Sequence, residues 1–216
     1  MIRQTNNLIR ITLEPKLLKM LLSMNSGGYL KDIGWIESFK NQLPMDKEEN
    51  PLPWVTYSFI DFISDRLTNE MNIFEYGSGN STLWYAQRVN SVTSVEHDKE
   101  WFEKIKNSMP ENVNINYQEL IKNEKYSYFT SQSSKKFDIV IVDGRDRVNC
   151  ILNSINSLNN NGVIVLDDSE REYYLKGIKF LLTNGFKKID FWGISPGLFY
   201  KKCTTIFYKE DNCLGI

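Results

Sequence analysis

A short acidic segment with two glycines, NIFEYGSGNST at residues 72–82, holds the residues whose spacing is most suggestive of chemistry. An apolar run leads into Glu75, and Gly77 and Gly79 follow with one residue between them. Glycines directly after a strand permit a tight turn and let the backbone approach a ligand closely. The segment therefore predicts a ligand-binding turn at the carboxyl end of a strand.

A second acid, Glu96, ends the next apolar run, SVTSVE. A carboxylate at this place in an α/β sheet can accept hydrogen bonds from both hydroxyls of a ribose, which predicts an adenosine-type ligand. A dinucleotide fingerprint would need a third glycine where this chain has Thr82. Glu75 would also repel a pyrophosphate at the turn, whereas it would attract a cation. S-adenosylmethionine, which carries a sulfonium and an ammonium but no phosphate, fits these residues better than NAD does.

Three aspartates end two further apolar runs. Asp143 follows FDIVIV, and Asp167 and Asp168 follow GVIVL. In a strand order 3-2-1-4-5 the first and fourth strands are neighbours, so these carboxylates should converge beside the glycine turn. Clustered carboxylates repel one another unless they are protonated or bridged by a cation, and oxygen ligands suit Mg²⁺. The alternative is that Asp167 and Asp168 cap the next helix while Arg145 and Arg147 neutralise them.

The elements that must position these residues alternate between two patterns. Short β-branched runs predict strands at 72–76, 91–96, 113–118, 137–143 and 162–167, with two more near 186–193 and 204–209. Helix-like segments separate most of them, and strands that are apolar on both faces indicate a parallel sheet covered by helices. The short connection before the last run predicts an antiparallel final pair. The chain is therefore predicted to be an α/β protein with a doubly wound, mostly parallel sheet of seven strands.

The composition of the chain argues against some classes of binding partner. The net charge is −1 and cationic residues are interleaved with acids, which argues against a nucleic-acid partner. Three separated cysteines, Cys150, Cys203 and Cys213, indicate free thiols in a reducing compartment. No apolar run approaches the ~20 residues of a membrane span, so we expect a cytoplasmic protein with no membrane partner.

The full combination resembles the class I S-adenosylmethionine-dependent methyltransferases over residues 72–209: E-x-G-x-G after the first strand, an acid ending the second, an aspartate ending the fourth and an antiparallel last pair. The resemblance implies a Rossmann-like sheet in the order 3-2-1-4-5-7-6 within a methyltransferase domain at 71–216. Residues 1–70 would form an N-terminal helical extension or lid. The implied cofactor contacts are Glu75, Tyr76, Gly77, Ser78, Gly79, Asn80, Ser81, Glu96, His97 and Asp143.

The aspartate layout is similar to that of the metal-dependent O-methyltransferases of the catechol and macrolide-sugar types. That similarity implies Mg²⁺ on Asp143, Asp167 and Asp168, and catalytic roles for Asp143, Asp168 and Arg145. Arg145 stands where the catechol type has a lysine; an arginine cannot act as a base but can clamp an anionic group. The predicted acceptor is a hydroxyl of a small molecule or glycan precursor, and a homodimer is left open.

Three other interpretations compete with this one. An NAD-dependent oxidoreductase is disfavoured by Glu75 and by the missing third glycine. A non-catalytic S-adenosylmethionine-binding module is disfavoured by the presence of both acids and of Asp143. An aminopropyl-transferring relative that uses decarboxylated cofactor is a minority alternative.

Overall fold

The sheet has the predicted architecture. A computed structural model describes residues 14–121, 125–132 and 135–216. Within these residues seven strands form one sheet in the order β3-β2-β1-β4-β5-β7-β6, which confirms the predicted fold class and strand order. The strands are β1 Asn72–Tyr76, β2 Ser91–Glu96, β3 Val113–Tyr117, β4 Phe137–Val142, β5 Leu158–Asp167, β6 Lys187–Gly193 and β7 Lys202–Tyr208. The first five pair in parallel, and β7 runs antiparallel to both β5 and β6.

Helices cover both faces of this sheet. The helices are α1 Pro15–Ser23, α2 Tyr29–Asp32, α3 Trp35–Asn41, α4 Tyr57–Ser64, α5 Asn80–Ala86, α6 Lys99–Ile105, α7 Lys125–Gln132, α8 Arg147–Ser154 and α9 Leu175–Thr183. Short 3₁₀ turns at Lys106–Ser108, Ile155–Ser157 and Glu172–Tyr174 complete the helical elements of the described ranges. The parallel strands are therefore shielded from water on either side, as their apolar sequences require.

The two faces of β4 show how the core is divided. Ile139 and Ile141 pack in one apolar cluster with α3, α4 and α5, whereas Val140 and Val142 pack in a second cluster with α7, α8 and α9. Successive side chains of a strand point to opposite faces, so an unbroken apolar run supplies both clusters. The sheet thereby becomes a rigid support for the loops at its carboxyl edge.

Part of the predicted N-terminal extension is built into this core. Trp35, Tyr57 and Phe59 are buried in the cluster that includes the β1 residue Ile73. The helix α1, by contrast, has no buried residue. Residues 1–13 lie outside the described residues, and the domain boundary at residue 70 stays a prediction. Across the described ranges, none of the helices has the length and apolar character that crossing a membrane requires.

Candidate ligand site and its carboxylate cluster

The glycine turn packs directly against the loop that follows β4. Gly77 has a φ of +102°, and its N–H donates to the Val95 carbonyl at 2.9 Å. A Cβ placed on Gly144 would lie 3.1 Å from the Gly77 nitrogen and still closer to the Tyr126 hydroxyl. Both positions therefore need glycine, one for its positive φ and the other for the close approach of two backbones. Gly144 was not singled out from the sequence, although the Asp143-Gly144 dipeptide after a strand is a turn signal.

The carboxylate of Glu75 is buried and held by two hydroxyls. Ser81 Oγ donates to Oε1 at 2.5 Å, and Thr82 Oγ1 donates to Oε2 at 2.6 Å. The same Thr82 oxygen accepts the Gly79 N–H at 3.0 Å, which leaves its own hydrogen directed at Glu75. The residue that replaces the third glycine of a dinucleotide fingerprint thus ties the turn to its acid.

Burial makes Glu75 a titrating group near neutral pH. Loss of hydration raises its pKa to about 7, against the lowering effect of the hydrogen bonds from Ser81 and Thr82, and Glu96 raises it further. A carboxylate in this environment ionises more readily when a cation binds beside it. The site therefore favours a positively charged ligand.

Glu96 presents one satisfied oxygen and one open oxygen. Its Oε1 accepts the backbone N–H groups of His97 and Asp98, each at 2.8 Å, and lies 2.8 Å from Nδ1 of His97. Within the described part of the chain, Oε2 accepts no hydrogen bond. Because Glu96 lines the cavity described next, this second oxygen can accept hydrogen bonds from a ligand's hydroxyls.

A cavity of about 480 Å³ joins these groups at the carboxyl ends of β1, β2 and β4. Nearly all the residues predicted to contact a cofactor line it: Glu75, Gly77, Ser78, Gly79, Asn80, Ser81, Glu96, His97 and Asp143. Tyr76 is the exception, because it does not line the cavity. Its ring is fully buried in the core, and its hydroxyl donates to the Ser127 carbonyl at 2.8 Å. Alternation along β1 sends Glu75 and Tyr76 to opposite faces.

Residues that were not predicted to contact a cofactor form the rest of the cavity wall. Leu43, Pro44 and Trp54 line it, and Asn80 Nδ2 donates to the Pro44 carbonyl at 2.7 Å. On another wall Trp101 Nε1 donates to the Ser78 carbonyl at 2.8 Å. The proline-rich segment 41–53 gave no periodic pattern, so its place over the glycine turn could not be read from the sequence.

The three aspartates do converge, but protein cations fill the space between them. Asp143 pairs with Arg147 at 2.9 Å, and Asp167 accepts from Lys202 Nζ at 2.6 Å. Asp168 lies 3.0 Å from Lys202 Nζ and pairs with Arg171 at 2.8 Å. Three cationic side chains thus face three carboxylates.

This arrangement does not support the predicted magnesium site. The described residues contain no group of three or more His, Cys, Asp or Glu arranged to hold a metal ion. Asp167 is 1% exposed, and its oxygens already accept from Lys202 and, at 2.8 Å, from Thr204. An ammonium occupies the space that a divalent ion would need, and adding Mg²⁺ there would bring two cations into contact.

We expect Mg²⁺ to leave the thermal stability of the protein unchanged. A ligand that binds only the folded state raises the melting temperature, and the rise grows with the logarithm of the ligand concentration once that concentration exceeds the dissociation constant. Differential scanning fluorimetry with EDTA, with millimolar MgCl₂ and with NaCl of equal ionic strength tests this. A rise that grows with the MgCl₂ concentration but is absent with NaCl would restore the metal hypothesis.

Sequence reasoning missed Lys202, the most buried cation of this cluster. The residue is 3% exposed. Although burial lowers the pKa of Lys202, the carboxylates of Asp167 and its neighbours raise it above its ordinary value, so the ammonium is charged. A lysine at the start of an apolar strand, in KKCTTIF, was the only sequence signal.

The residues that were predicted to be catalytic differ in whether they reach the cavity. Arg145 lines the cavity and is exposed, and its guanidinium forms no ion pair with the residues that the structure describes. Asp168 is 5% exposed and does not line the cavity. Asp168 has a φ of +53° and pairs with Arg171, so its visible role is to organise the cluster. Asp143 is the aspartate of the cluster that lines the cavity.

Comparison with known proteins agrees with this geometry. Residues 74–169, from β1 to just past Asp168, match a family model described as a methyltransferase domain. Residues 74–169 of this chain are therefore similar to a methyltransferase domain. The match confirms the resemblance to class I methyltransferases and leaves the substrate class and metal dependence open. No curated protein matches the chain.

Several solved structures share the fold of this chain. A precorrin-6y C5,15-methyltransferase from Geobacter metallireducens is 14% identical, with a TM-score of 0.56 over 80% of this chain and 96% of that one. A methyltransferase-like protein from Silicibacter pomeroyi is 21% identical, with a TM-score of 0.53 over 74% and 89%. An rRNA methylase from Streptococcus thermophilus is 14% identical, with a TM-score of 0.51 over 69% and 92%. At these identities the likeness concerns the fold alone.

Proposed function

We propose that this protein transfers a methyl group from S-adenosylmethionine to a hydroxyl of a small molecule. The observation that carries the proposal is the pairing of two acids in one cavity: buried Glu75 beside the glycine turn, and Glu96 with one oxygen open. A ligand that offers a cation to the first and two vicinal hydroxyls to the second satisfies both. A nicotinamide dinucleotide offers hydroxyls but would place a pyrophosphate near Glu75.

The residues of the cavity fit such a cofactor. Gly77 and Gly79 would let the backbone lie against its amino-acid portion, with Glu75 compensating the positive charge. Glu96 Oε2 would accept from the ribose hydroxyls, and His97 would contact the adenine side. When bound, S-adenosylmethionine supplies an electrophilic methyl group on a sulfonium. The protein's task is then to orient an acceptor and to take up its proton.

Asp143 is the residue to which we assign proton acceptance. Burial and the neighbouring Asp167 raise its pKa, while Arg147 and Lys202 oppose the rise. A carboxylate with a raised pKa is a better base than an ordinary aspartate. Arg147 holds Asp143 in place through the 2.9 Å ion pair, and Arg145 would clamp an anionic group of the acceptor.

The other predicted attributes stay proposals. We favour a small molecule over a nucleic acid because the net charge is −1 and the cations next to the cavity are largely paired with aspartates. A glycan precursor is included in the proposed acceptor class. Cytoplasmic location and homodimer formation stay predictions, and methyl transfer to any acceptor would exclude a non-catalytic binding role.

Isothermal titration calorimetry tests the cofactor assignment. We expect S-adenosylmethionine and S-adenosylhomocysteine to bind, and NAD not to bind. Glu96→Gln should weaken S-adenosylhomocysteine binding about tenfold or more, because a charge-assisted acceptor becomes a neutral one. Glu100→Gln, on the exposed start of α6, is the matched control and should bind as the wild type does. Tight NAD binding, or equal affinity of the two variants, would contradict the assignment.

A further inference from the structure

Lys202 donates a hydrogen bond to a residue of the cavity wall. Its Nζ lies 3.2 Å from the Trp54 carbonyl oxygen, in addition to its contacts with Asp167 and Asp168. Trp54 lines the cavity and is exposed, whereas Lys202 is buried and does not line it. The buried cation of the aspartate cluster is therefore in direct contact with a residue of the candidate ligand site.

Asp167 holds both side chains that bind the backbone of this segment. Its Oδ2 accepts from Lys202 Nζ at 2.6 Å, and its Oδ1 accepts from Thr204 Oγ1 at 2.8 Å. The Thr204 oxygen in turn accepts the backbone N–H of Thr56 at 3.1 Å. Trp54 and Thr56 are thus each bonded to a side chain that Asp167 orients. Because Asp167 is buried, these bonds are shielded from competition by water.

The indole of Trp54 is tied to the loop that precedes β7. Its Nε1 donates to the Pro196 carbonyl at 2.8 Å, and nearby the Tyr57 N–H donates to the Ile194 carbonyl at 3.1 Å. The first residue of β7 is Lys202, which holds the Trp54 carbonyl. The place of the indole at the cavity wall therefore depends on one bond at its ring nitrogen and one at its main chain.

The same set of bonds reaches the opposite side of the cavity. Arg147 donates to the Asp167 carbonyl at 2.5 Å and to Asp143 Oδ1 at 2.9 Å. Asp143 and Trp54 both line the cavity, so Arg147, Asp167 and Lys202 join two of its lining residues through the interior. A buried ion pair adds little net stability compared with apolar residues of similar volume, but it can fix one arrangement of the groups that it joins.

We propose that Lys202 is a positioning residue of the ligand site: together with Asp167 it fixes the Trp54 indole at the cavity wall, at a set place relative to Asp143. The inference rests on the proposed methyltransferase function, because the cavity is taken as the site of that reaction. A ligand would then meet a wall of fixed shape, and less ordering entropy would be lost on binding. Lys202 touches no ligand in this role and acts through Trp54.

The double variant Asp167→Asn/Lys202→Met separates positioning from stability. It removes one charge of each sign, so no carboxylate loses its counter-charge, but the donor to the Trp54 carbonyl is absent. We expect S-adenosylhomocysteine to bind this variant about tenfold more weakly than the wild type in calorimetry, which is the usual effect of losing a hydrogen bond from a charged group. Lys201→Met, at the exposed neighbouring lysine, is the matched control and should bind as the wild type does.

Fluorine NMR of protein labelled with 5-fluorotryptophan reports on the indole directly and needs no ligand. The chain has five tryptophans, so the Trp54 resonance is assigned by its loss in Trp54→Phe. We expect this resonance to shift or broaden in the double variant, while that of the buried core residue Trp84 stays in place and shows that the variant is folded. If the double variant does not fold, Asp167→Asn alone, which leaves Lys202 paired with Asp168, should shift the Trp54 resonance.

The outcomes distinguish this inference from the proposed function. If S-adenosylhomocysteine fails to bind the wild type, the proposed function fails, while the fluorine spectra still decide whether Lys202 positions Trp54. If the double variant binds as tightly as the wild type, or if the Trp54 resonance does not change, the positioning role is overturned. In a Trp54→Ala background the double change should cost no further affinity, because no indole is left to misplace. A further tenfold loss in that background would show that Lys202 acts on the site by another route, which also overturns the inference.

Discussion

Replacing Glu75 with glutamine is expected to weaken S-adenosylmethionine binding about 100-fold at pH 8 while making the unliganded protein more stable. The binding loss follows from removing a buried negative charge that faces a cationic ligand, an interaction of order a few kcal/mol in a partly dry cavity. The two effects have opposite signs because the same buried charge is costly without a ligand and useful with one.

The gain in the free energy of unfolding that we expect from Glu75→Gln depends on pH. The folded-state pKa of Glu75 is about 7 against an ordinary value of 4.5. Between these values the folded state binds more protons than the unfolded state, so the free energy of unfolding falls as pH rises through this window. Glutamine never ionises and avoids this loss. We expect Glu75→Gln to gain on the order of 1–2 kcal/mol at pH 8, a gain that disappears below about pH 4.5.

The affinity of the wild type for the cationic ligand, in contrast to its stability, is expected to rise with pH. A cationic ligand binds the ionised form of Glu75, so wild-type affinity should fall as pH drops below about 7 and level off above it. The amino group of the free ligand titrates in the same way in both experiments, so the difference between wild type and Glu75→Gln removes that contribution. Glu70→Gln, exposed just before β1, is the control.

Calorimetry for affinity and urea denaturation for stability, each at pH 5.5, 7 and 8.5, complete the test. A variant that binds as well as the wild type at pH 8.5 would show that Glu75 serves only to hold Ser81 and Thr82. A variant that is less stable at high pH would show that those two hydrogen bonds outweigh the desolvation of the carboxylate.

Local sequence patterns were sufficient for the sheet and for most of the cavity lining. The β-branched runs fixed the strands, because a strand buried on both faces must be apolar throughout. The position of Glu75, Glu96 and Asp143 at or near the ends of apolar runs predicted that they would lie at the carboxyl edge of the sheet. The same logic places the side chain of Tyr76 away from the cavity, since alternation along β1 sends it to the face opposite Glu75.

The remaining features depended on contacts between distant segments. Lys202 meets Asp167 because β7 pairs antiparallel with β5, with Thr204 opposite Asp167. Local periodicity does not determine that register, so Lys202 was not counted beside Arg145 and Arg147, and the three neighbouring aspartates suggested a metal ion. The part of the cavity wall formed by Leu43, Pro44 and Trp54 could not be predicted for a similar reason. Irregular segments are positioned by tertiary hydrogen bonds, such as the one from Asn80 to the Pro44 carbonyl.

Replacing Lys202 with methionine is expected to destabilise the protein by about 3–5 kcal/mol, because it leaves buried carboxylates without their counter-charge. Lys202 Nζ contacts Asp167 Oδ2 at 2.6 Å, Asp168 Oδ1 at 3.0 Å and the Trp54 carbonyl at 3.2 Å. Methionine preserves most of the side-chain volume, so the loss reports the charge rather than a cavity. Lys201→Met, the exposed neighbour whose ammonium lies over the Trp192 ring, is the matched control and should shift stability by less than about 1 kcal/mol.

A second-site change keeps this prediction decisive even if Lys202→Met folds poorly. Asp167→Asn removes the charge that Lys202 compensates, so the double variant should be more stable than Lys202→Met alone, with a coupling energy of about 1–3 kcal/mol. The midpoint of urea denaturation measures all four proteins. If Lys202→Met matches Lys201→Met, or if the two changes at 167 and 202 are additive, the ammonium is not what holds the carboxylates together. If the double variant regains stability, the Lys202 ammonium is what neutralises the buried carboxylates, which is the role that the sequence had suggested for Mg²⁺.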